Sequence, residues 1–362
     1  MAVAGAARLI AIGEHAHGDP SLLALRNGWI RKLIERGRVS AIALETGFAE
    51  ALALNALVMG RATEDISATI NAGMTWGFGA LKPNQDLLAW LSAHNAGVEP
   101  ENRVAFYGLD LSLAGPTGCA PLRAPFDLAL RYLKVAGHPA AGDLGARLEP
   151  FLAKAPASGA PFAIEERRAL LAQAVRLERT FATGRPPRSS HDRHDFDEAR
   201  QAAVTGRWAA QVFVEEPAPE PSIPAGAWRP MATRNAAMAQ IVSWIERRES
   251  PRGRTLIHAH NMHVANASLR GGRWAALDRP PSSLGRHLRA MYGAEACLVG
   301  TSPLTGPGSL GAWAEAAGLA NTLVDLRRPH ADSLDREQSL TTDADSVVLL
   351  TPSNAFDAMA FL

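Results

Sequence analysis

Glu14, His15, His17 and Asp19 fall within six residues of one another, and His258, His260 and His263 fall within another six. Glu45 and Asp110 each stand at the end of a short apolar run. Imidazole beside carboxylate suits proton transfer. A histidine titrates near neutral pH, and a positioned one contributes roughly 10²–10⁴ in rate as a general base or acid. A carboxylate bonded to its second ring nitrogen fixes the tautomer. Arg26 lies nine residues after His17. A guanidinium there can bind a carbonyl oxygen as it turns negative, an interaction typically worth about 3 kcal/mol. No GxSxG elbow and no HExxH pair occur, and Cys119 and Cys297 have no adjacent helper. The residue types therefore point to activation of water by histidine rather than to a covalent serine or cysteine intermediate.

The elements that must position these residues read as a parallel α/β sheet. Arg8–Glu14, Ala41–Thr46, Val104–Asp110, Thr255–Asn261, Ala296–Pro303, Asn321–Leu326 and Ser346–Thr351 have strand character, and Leu22–Glu35, Ala49–Met59, Ile164–Phe181 and Met231–Arg247 have helical periodicity. Continuous apolar strands spaced by helices imply a mainly parallel sheet covered on both faces. Residues 1–111 and 231–362 read as two halves of this core, and 112–230 as a mainly helical insertion or cap over the active-site edge, with Gln211–Val214 its one strand-like stretch. Every polar cluster ends a strand, and the carboxyl ends of parallel strands share one edge, where ligands bind. Four distant segments thus converge on one expected pocket. The alternative for Glu14, Glu45 and Asp110 is capping of the following helix, and for His258 a buried structural role.

Two further patterns compete. His15-Ala-His17 with Asp19, and His258-Ala-His260, have the spacing of metal ligands, so His15, His17, His258 and His260 form an alternative divalent-metal set for an amidohydrolase-like enzyme. Gly306-Pro-Gly308-Ser-Leu-Gly311 superficially matches a dinucleotide turn, but its proline favours an ordinary loop.

Gly13-Glu14-His15-Ala16-His17-Gly18, Leu25-Arg26 and Ala43-Leu44-Glu45-Thr46-Gly47-Phe48-Ala49-Glu50 resemble the N-terminal signature of the erythromycin esterase family. Trp90-Leu91 with Asn95, Phe106-Tyr107-Gly108-Leu109-Asp110, Arg234 with Met238, Ala259-His260-Asn261-Met262-His263, and Leu284-Gly285-Arg286-His287-Leu288 with Tyr292-Gly293 extend the resemblance in order. It is weakest between Ala114 and Pro230. The resemblance implies a hydrolase that opens the macrolactone of macrolide antibiotics with water. It assigns the base to His17 and supporting places to Glu14, Arg26, Glu45, His260 and His263, while His15 and His258 lie outside the essential pattern. Ser92 stands where members often carry Arg, and Asn235 where Asp is common.

Composition narrows the partners. Lys+Arg 37 against Asp+Glu 36 leaves a net charge of +1, so no basic excess favours nucleic acid or an anionic membrane. No apolar run approaches the roughly 18 residues of a membrane span, and a cytoplasmic protein is expected. The expected ligands are a small macrolide and water, with no cofactor. The pocket is expected to be broad and mostly apolar, with Trp76 and Asp110 as substrate contacts and Trp208 and Trp228 as further wall candidates. A non-catalytic small-ligand or metal-binding protein is the remaining alternative.

Overall fold

The computed structural model describes residues 2–37, 39–62, 65–114, 120–154, 162–184, 187, 190–216, 225–304, 310–329, 331–341 and 347–362. The fingerprint-like turn at Gly306–Gly308 and Cys119 lie outside them.

Strands β1 (Leu9–Glu14), β2 (Val39–Gly47) and β3 (Ala105–Asp110) come first, followed by a two-residue pair, β4 (Leu113–Ala114) and β5 (Ala120–Pro121). After a helical stretch come β6 (Arg254–His260), β7 (Ala296–Ser302), β8 (Thr322–Asp325), β9 (Gln338–Thr341), β10 (Val347–Leu350) and β11 (Ala358–Phe361). Among the described residues, seven of these form one sheet in the order β3-β2-β6-β1-β7-β11-β8. All pairs in it are parallel except β11 with the edge strand β8. The two chain halves share the sheet by interleaving, because β6 enters between β1 and β2.

Alternation along each strand buries both faces. Leu9, Ala11, Ala41, Ala43, Ala105 and Tyr107 join one apolar cluster, and Ile10, Ile12, Ile42, Leu44 and Phe106 the other. Helices α1 (Pro20–Glu35), α2 (Phe48–Val58), α3 (Ile66–Gly73) and α4 (Lys82–Ala96) follow β1 and β2. Asn95 of α4 staples the sheet: its amide donates to the carbonyls of Val58 and Val104 and accepts from the Val104 N–H. Helices α5 (Ala124–Val135), α6 (Ala141–Lys154), α7 (Ile164–Thr183) and α8 (Ser190–Glu215) share a third apolar cluster around Phe126, Leu148, Leu177 and Phe181. Helix α9 (Arg229–Glu249) joins α8 to the sheet, and α10 (Asn261–Val264) follows β6 directly.

Several expectations differ in detail. Gln211–Val214 is the last turn of α8, where Val212 and Phe213 are buried by helix packing rather than by strand pairing. The strand at Val347–Leu350 pairs antiparallel with β9, outside the main sheet. The C-terminal strand β11 was not expected from the pattern. Its four residues Ala358–Phe361 are too few to show a period, and only pairing with β7 and β8 defines them.

Candidate active site

The strand order explains why the clusters meet. The carboxyl ends of β3, β2, β6 and β1 are consecutive along one edge, and they carry Asp110, Glu45, His260 and Glu14. Glu14 lies opposite His260 in the register, and Gly47 opposite Asp110. The β2–β3 register slips between Leu44 and Gly47. This irregularity, of the kind that re-aims side chains beside functional sites, falls at Glu45. Gly13 is required here: a Cβ would lie 2.1 Å from the Asn261 side-chain oxygen, and that side chain bonds both the N–H and the carbonyl of Thr301 on β7.

Two hydrogen-bonded groups occupy the edge. In the first, Glu14 Oε1 accepts from His17 Nδ1 at 2.6 Å. With Nδ1–H committed, neutral His17 presents the lone pair of Nε2, the form a general base needs. Burial acts to lower the His17 pKa. The Glu14 hydrogen bond and the charges of Glu45 and Glu14 outweigh it, against an opposing push from Arg234, and raise it to about 9. The His17 ring packs 4.9 Å from the His260 ring and 5.3 Å from the Phe78 ring.

In the second group, Arg234 of α9 bridges two carboxylates. Its Nε and Nη2 donate to Asp110 at 3.0 and 2.6 Å, and Nη2 also reaches Glu45 Oε1 at 3.0 Å. Glu45 Oε1 is 3.2 Å from His263 Nε2, and Glu45 Oε2 accepts the backbone N–H of His260 at 2.8 Å. Burial pushes the Glu45 pKa up. The His263 charge and hydrogen bond, then the charges of His17 and Arg234, override this and hold it well below the usual carboxylate range. His263 Nδ1 lies 2.6 Å from Asn235 Oδ1. The amide orientation is fixed, because Asn235 Nδ2 donates to the Ser282 carbonyl. Nδ1 therefore carries a hydrogen.

Arg26 lies beneath these groups. It is 3% exposed, and its guanidinium donates to the side-chain oxygens of Asn27 (3.1 and 2.8 Å) and Asn84 (2.6 Å). Among the described residues no carboxylate lies within ion-pair range of it. Burial lowers its pKa, opposed by the Glu14 charge, to about 10, so it stays cationic at neutral pH. A buried cation held only by amides is costly to keep and suited to meet a negative charge that arises during reaction. Arg26, Glu14, Glu45 and His258 line a cavity of about 20 Å³, room for about one water, together with Asn84 and apolar Leu23, Leu44, Met74, Phe78 and Leu81. This is far smaller than the expected broad cleft, and Met74, Phe78 and Leu81 supply much of its apolar lining.

The remaining sequence-derived candidates sort by geometry. His258 is buried, with Nε2 3.6 Å from Glu14 Oε2. Desolvation first, then the Arg26 charge, holds its pKa well below the ordinary value, so it stays neutral. Asp19 caps α1, accepting from the N–H groups of Ser21 and Leu22. His260 Nδ1 accepts from the Met262 N–H and so caps α10. Of the set His15, His17, His258 and His260, the His17 and His260 rings lie 4.9 Å apart, with His17 Nδ1 on Glu14 and His260 Nδ1 on the Met262 N–H. Among the described residues no group of three or more His, Cys, Asp or Glu side chains is placed to hold a metal ion. Asp110 has both oxygens on Arg234 and is fully buried, so it orders the site rather than facing a ligand. Of the three tryptophans, Trp76 touches a site residue, its ring 5.5 Å from the Arg234 guanidinium. Trp208 stacks on Arg207, and Trp228 lies beside Arg229 and Arg279.

Arg234 is the residue that reading for strand-end clusters misses, although it belongs to the resemblance. Its signal was present: it shares one helical stripe with Pro230, Met238 and Val242, all buried. A lone charge on an apolar stripe needs a buried partner.

The chain is thus an α/β protein with a histidine–carboxylate pair and a buried arginine near the carboxyl edge of its sheet. The family described as erythromycin esterase matches residues 34–362, and the chain belongs to that family. Membership implies a hydrolase of the esterase type. The match begins after Glu14, His17 and Arg26, so for these three the geometry is the direct observation. No curated protein matches the chain. Three solved structures share its fold, each covering 99% of this chain. They are a protein from Bacillus cereus (17% identity, TM-score 0.77, 88% of that chain), a succinoglycan biosynthesis protein (14%, 0.76, 88%) and a mutant of the erythromycin esterase EreC in its open conformation (16%, 0.68, 90%). Among the described residues no helix is long and apolar enough to cross a membrane.

Proposed function

We propose that this protein hydrolyses a cyclic or large ester, with the macrolactone of erythromycin-type antibiotics as its substrate class, and that it does so without a resident metal. The observation that carries this reading is that Glu14, which holds His17 Nδ1, lines the same small cavity as the buried Arg26. Neutral His17 takes a proton from water at Nε2 while Glu14 holds Nδ1–H. The hydroxide oxygen bonds to the ester carbonyl carbon, and the carbonyl oxygen gains the charge that Arg26 faces. On collapse the bond to the alkoxy oxygen breaks, and the imidazolium returns its proton to that oxygen. A hydroxy acid results, with one water added. Glu45 and Arg234 hold His263 and His260 beside this centre, and Trp76 lies at its rim. The cavity of about 20 Å³ has room for about one water or one reacting oxygen, so the macrolide itself rests outside it.

The test is incubation with erythromycin and with simple esters in ¹⁸O-labelled water, read by mass spectrometry. The proposal expects one labelled oxygen in the carboxylate of a ring-opened product. Turnover of simple esters with intact erythromycin would overturn the macrolide assignment. Label in neither product would overturn the hydrolytic one.

A further inference from the structure

Residues Thr75–Phe78 form a tight turn, closed by the Phe78 N–H donating to the Thr75 carbonyl at 3.2 Å. Both central residues have positive φ: Trp76 at 64° and Gly77 at 76°. Turns of this kind favour Asn-Gly, because Asn tolerates the left-handed region and glycine has no Cβ to clash. A bulky aromatic residue at the first position is strained. Strain of this kind persists where the surroundings fix it, and it clusters at functional sites.

The surroundings here are specific. Thr75 is bound to the end of β2: its N–H donates to Thr46 Oγ1 at 2.7 Å, its hydroxyl accepts the Gly47 N–H at 3.0 Å, and the two hydroxyls are 3.1 Å apart. Thr46 and Gly47 directly follow Glu45. One residue beyond this clamp the Trp76 ring covers Arg234, and two residues further Phe78 packs on His17. The turn therefore touches both hydrogen-bonded groups of the site. Trp76 is itself 38% exposed, and the Arg234 side chain against its ring is 17% exposed.

We propose that Trp76 is a positioning residue, kept in a strained turn so that its indole shields and holds the Arg234 guanidinium on Glu45 and Asp110. Water admitted at Arg234 would weaken both ion pairs and loosen Glu45, and with it the His260 backbone and the His263 ring that Glu45 binds. The proposal rests on the hydrolase reading for the use to which this network is put, but not for the shielding itself.

The test needs no substrate. In full-length protein carrying ¹⁵N-labelled arginine, the Arg234 Nε–H signal is assigned by its loss in Arg234→Lys, and its exchange with solvent is measured. Trp76→Asn supplies the residue the turn itself prefers, and Trp76→Phe keeps an aromatic ring. The proposal expects exchange to speed up at least fivefold in Trp76→Asn, with a melting temperature no lower than wild type, and to return most of the way in Trp76→Phe. Acceleration of less than fivefold in Trp76→Asn overturns the proposal whatever the melting temperature. Equal acceleration in both variants overturns it too, since the ring would then not be the shield. Failure of the wild type to hydrolyse any ester would count against the preceding proposal alone.

Discussion

If His17 is the base, its elevated pKa sets the pH dependence of the enzyme. A histidine of pKa about 9 is neutral in about 1% of molecules at pH 7 and in about half at pH 9. The value of kcat/KM, which reports the free enzyme, should therefore climb close to tenfold per pH unit below 9 and gain about 50-fold between pH 7 and pH 9. Replacing Glu14 by Gln removes the hydrogen-bonded charge that outweighs burial. The limb should then move toward the ordinary histidine range, and the maximum rate should fall because an amide orients Nδ1–H less strongly than a carboxylate does. The assay is initial-rate hydrolysis across about pH 6 to 10, with the His17→Ala background subtracted to remove alkaline hydrolysis of the ester. A wild-type profile already flat above pH 7, or one that Glu14→Gln leaves in place, would refute the argument that Glu14 controls the proton on His17.

Three further outcomes follow from the same contacts. Arg26→Met should lower kcat by roughly 10²–10³, the usual loss for an oxyanion donor. Because it also removes a buried cation without a carboxylate partner, it should leave the midpoint of urea unfolding unchanged or higher; a large loss of stability would make Arg26 a structural residue. Arg234→Ala leaves Glu45 and Asp110 buried without their shared cation and should cost about 3–5 kcal/mol by denaturant unfolding, whereas a cost under about 1 kcal/mol would show that the bridge is dispensable. Acid should destabilise the fold in two ways. Glu45 is depressed in the folded state, so its contribution is present above the ordinary carboxylate pKa and lost as pH falls through the folded value. His258 is held neutral by burial, so below about pH 6.5 the unfolded chain gains a proton that the folded one refuses. Melting temperature should fall as pH drops from 7, and below about pH 4.5 it should fall less steeply in Glu45→Gln than in wild type; identical slopes in that acid range would contradict the assignment to Glu45.

The convergence of Glu14, Glu45, Asp110 and His260 was legible because a parallel sheet brings its carboxyl ends to one edge, and each residue ends an apolar run. What each group then does was not legible. Asp19 and His260 have the residue types and spacing of metal ligands, but one acceptor of each, Asp19 Oδ1 and His260 Nδ1, caps a helix start, a local competition that spacing cannot show. Asp110 looks like a ligand contact until Arg234 arrives from α9, more than a hundred residues later in the chain. Nor does the sequence reveal that β6 inserts between β1 and β2. That order is set by long-range pairing, and it is what brings the His258–His263 segment between Glu14 and Glu45. Met74 and Phe78, which line the cavity, flank the segment that Thr75 binds to Thr46 and Gly47, a contact that no apolar period shows.

The central claim is that His17 drives hydrolysis of a macrolactone. It is tested most directly by the mass of erythromycin after incubation with wild-type protein and with a folded His17→Ala variant, at a pH near 9 where the base is half neutral. The account predicts a product about 18 Da heavier, one added water, from the wild type, and unchanged erythromycin from the variant. An equal yield of the heavier product from both proteins would contradict it.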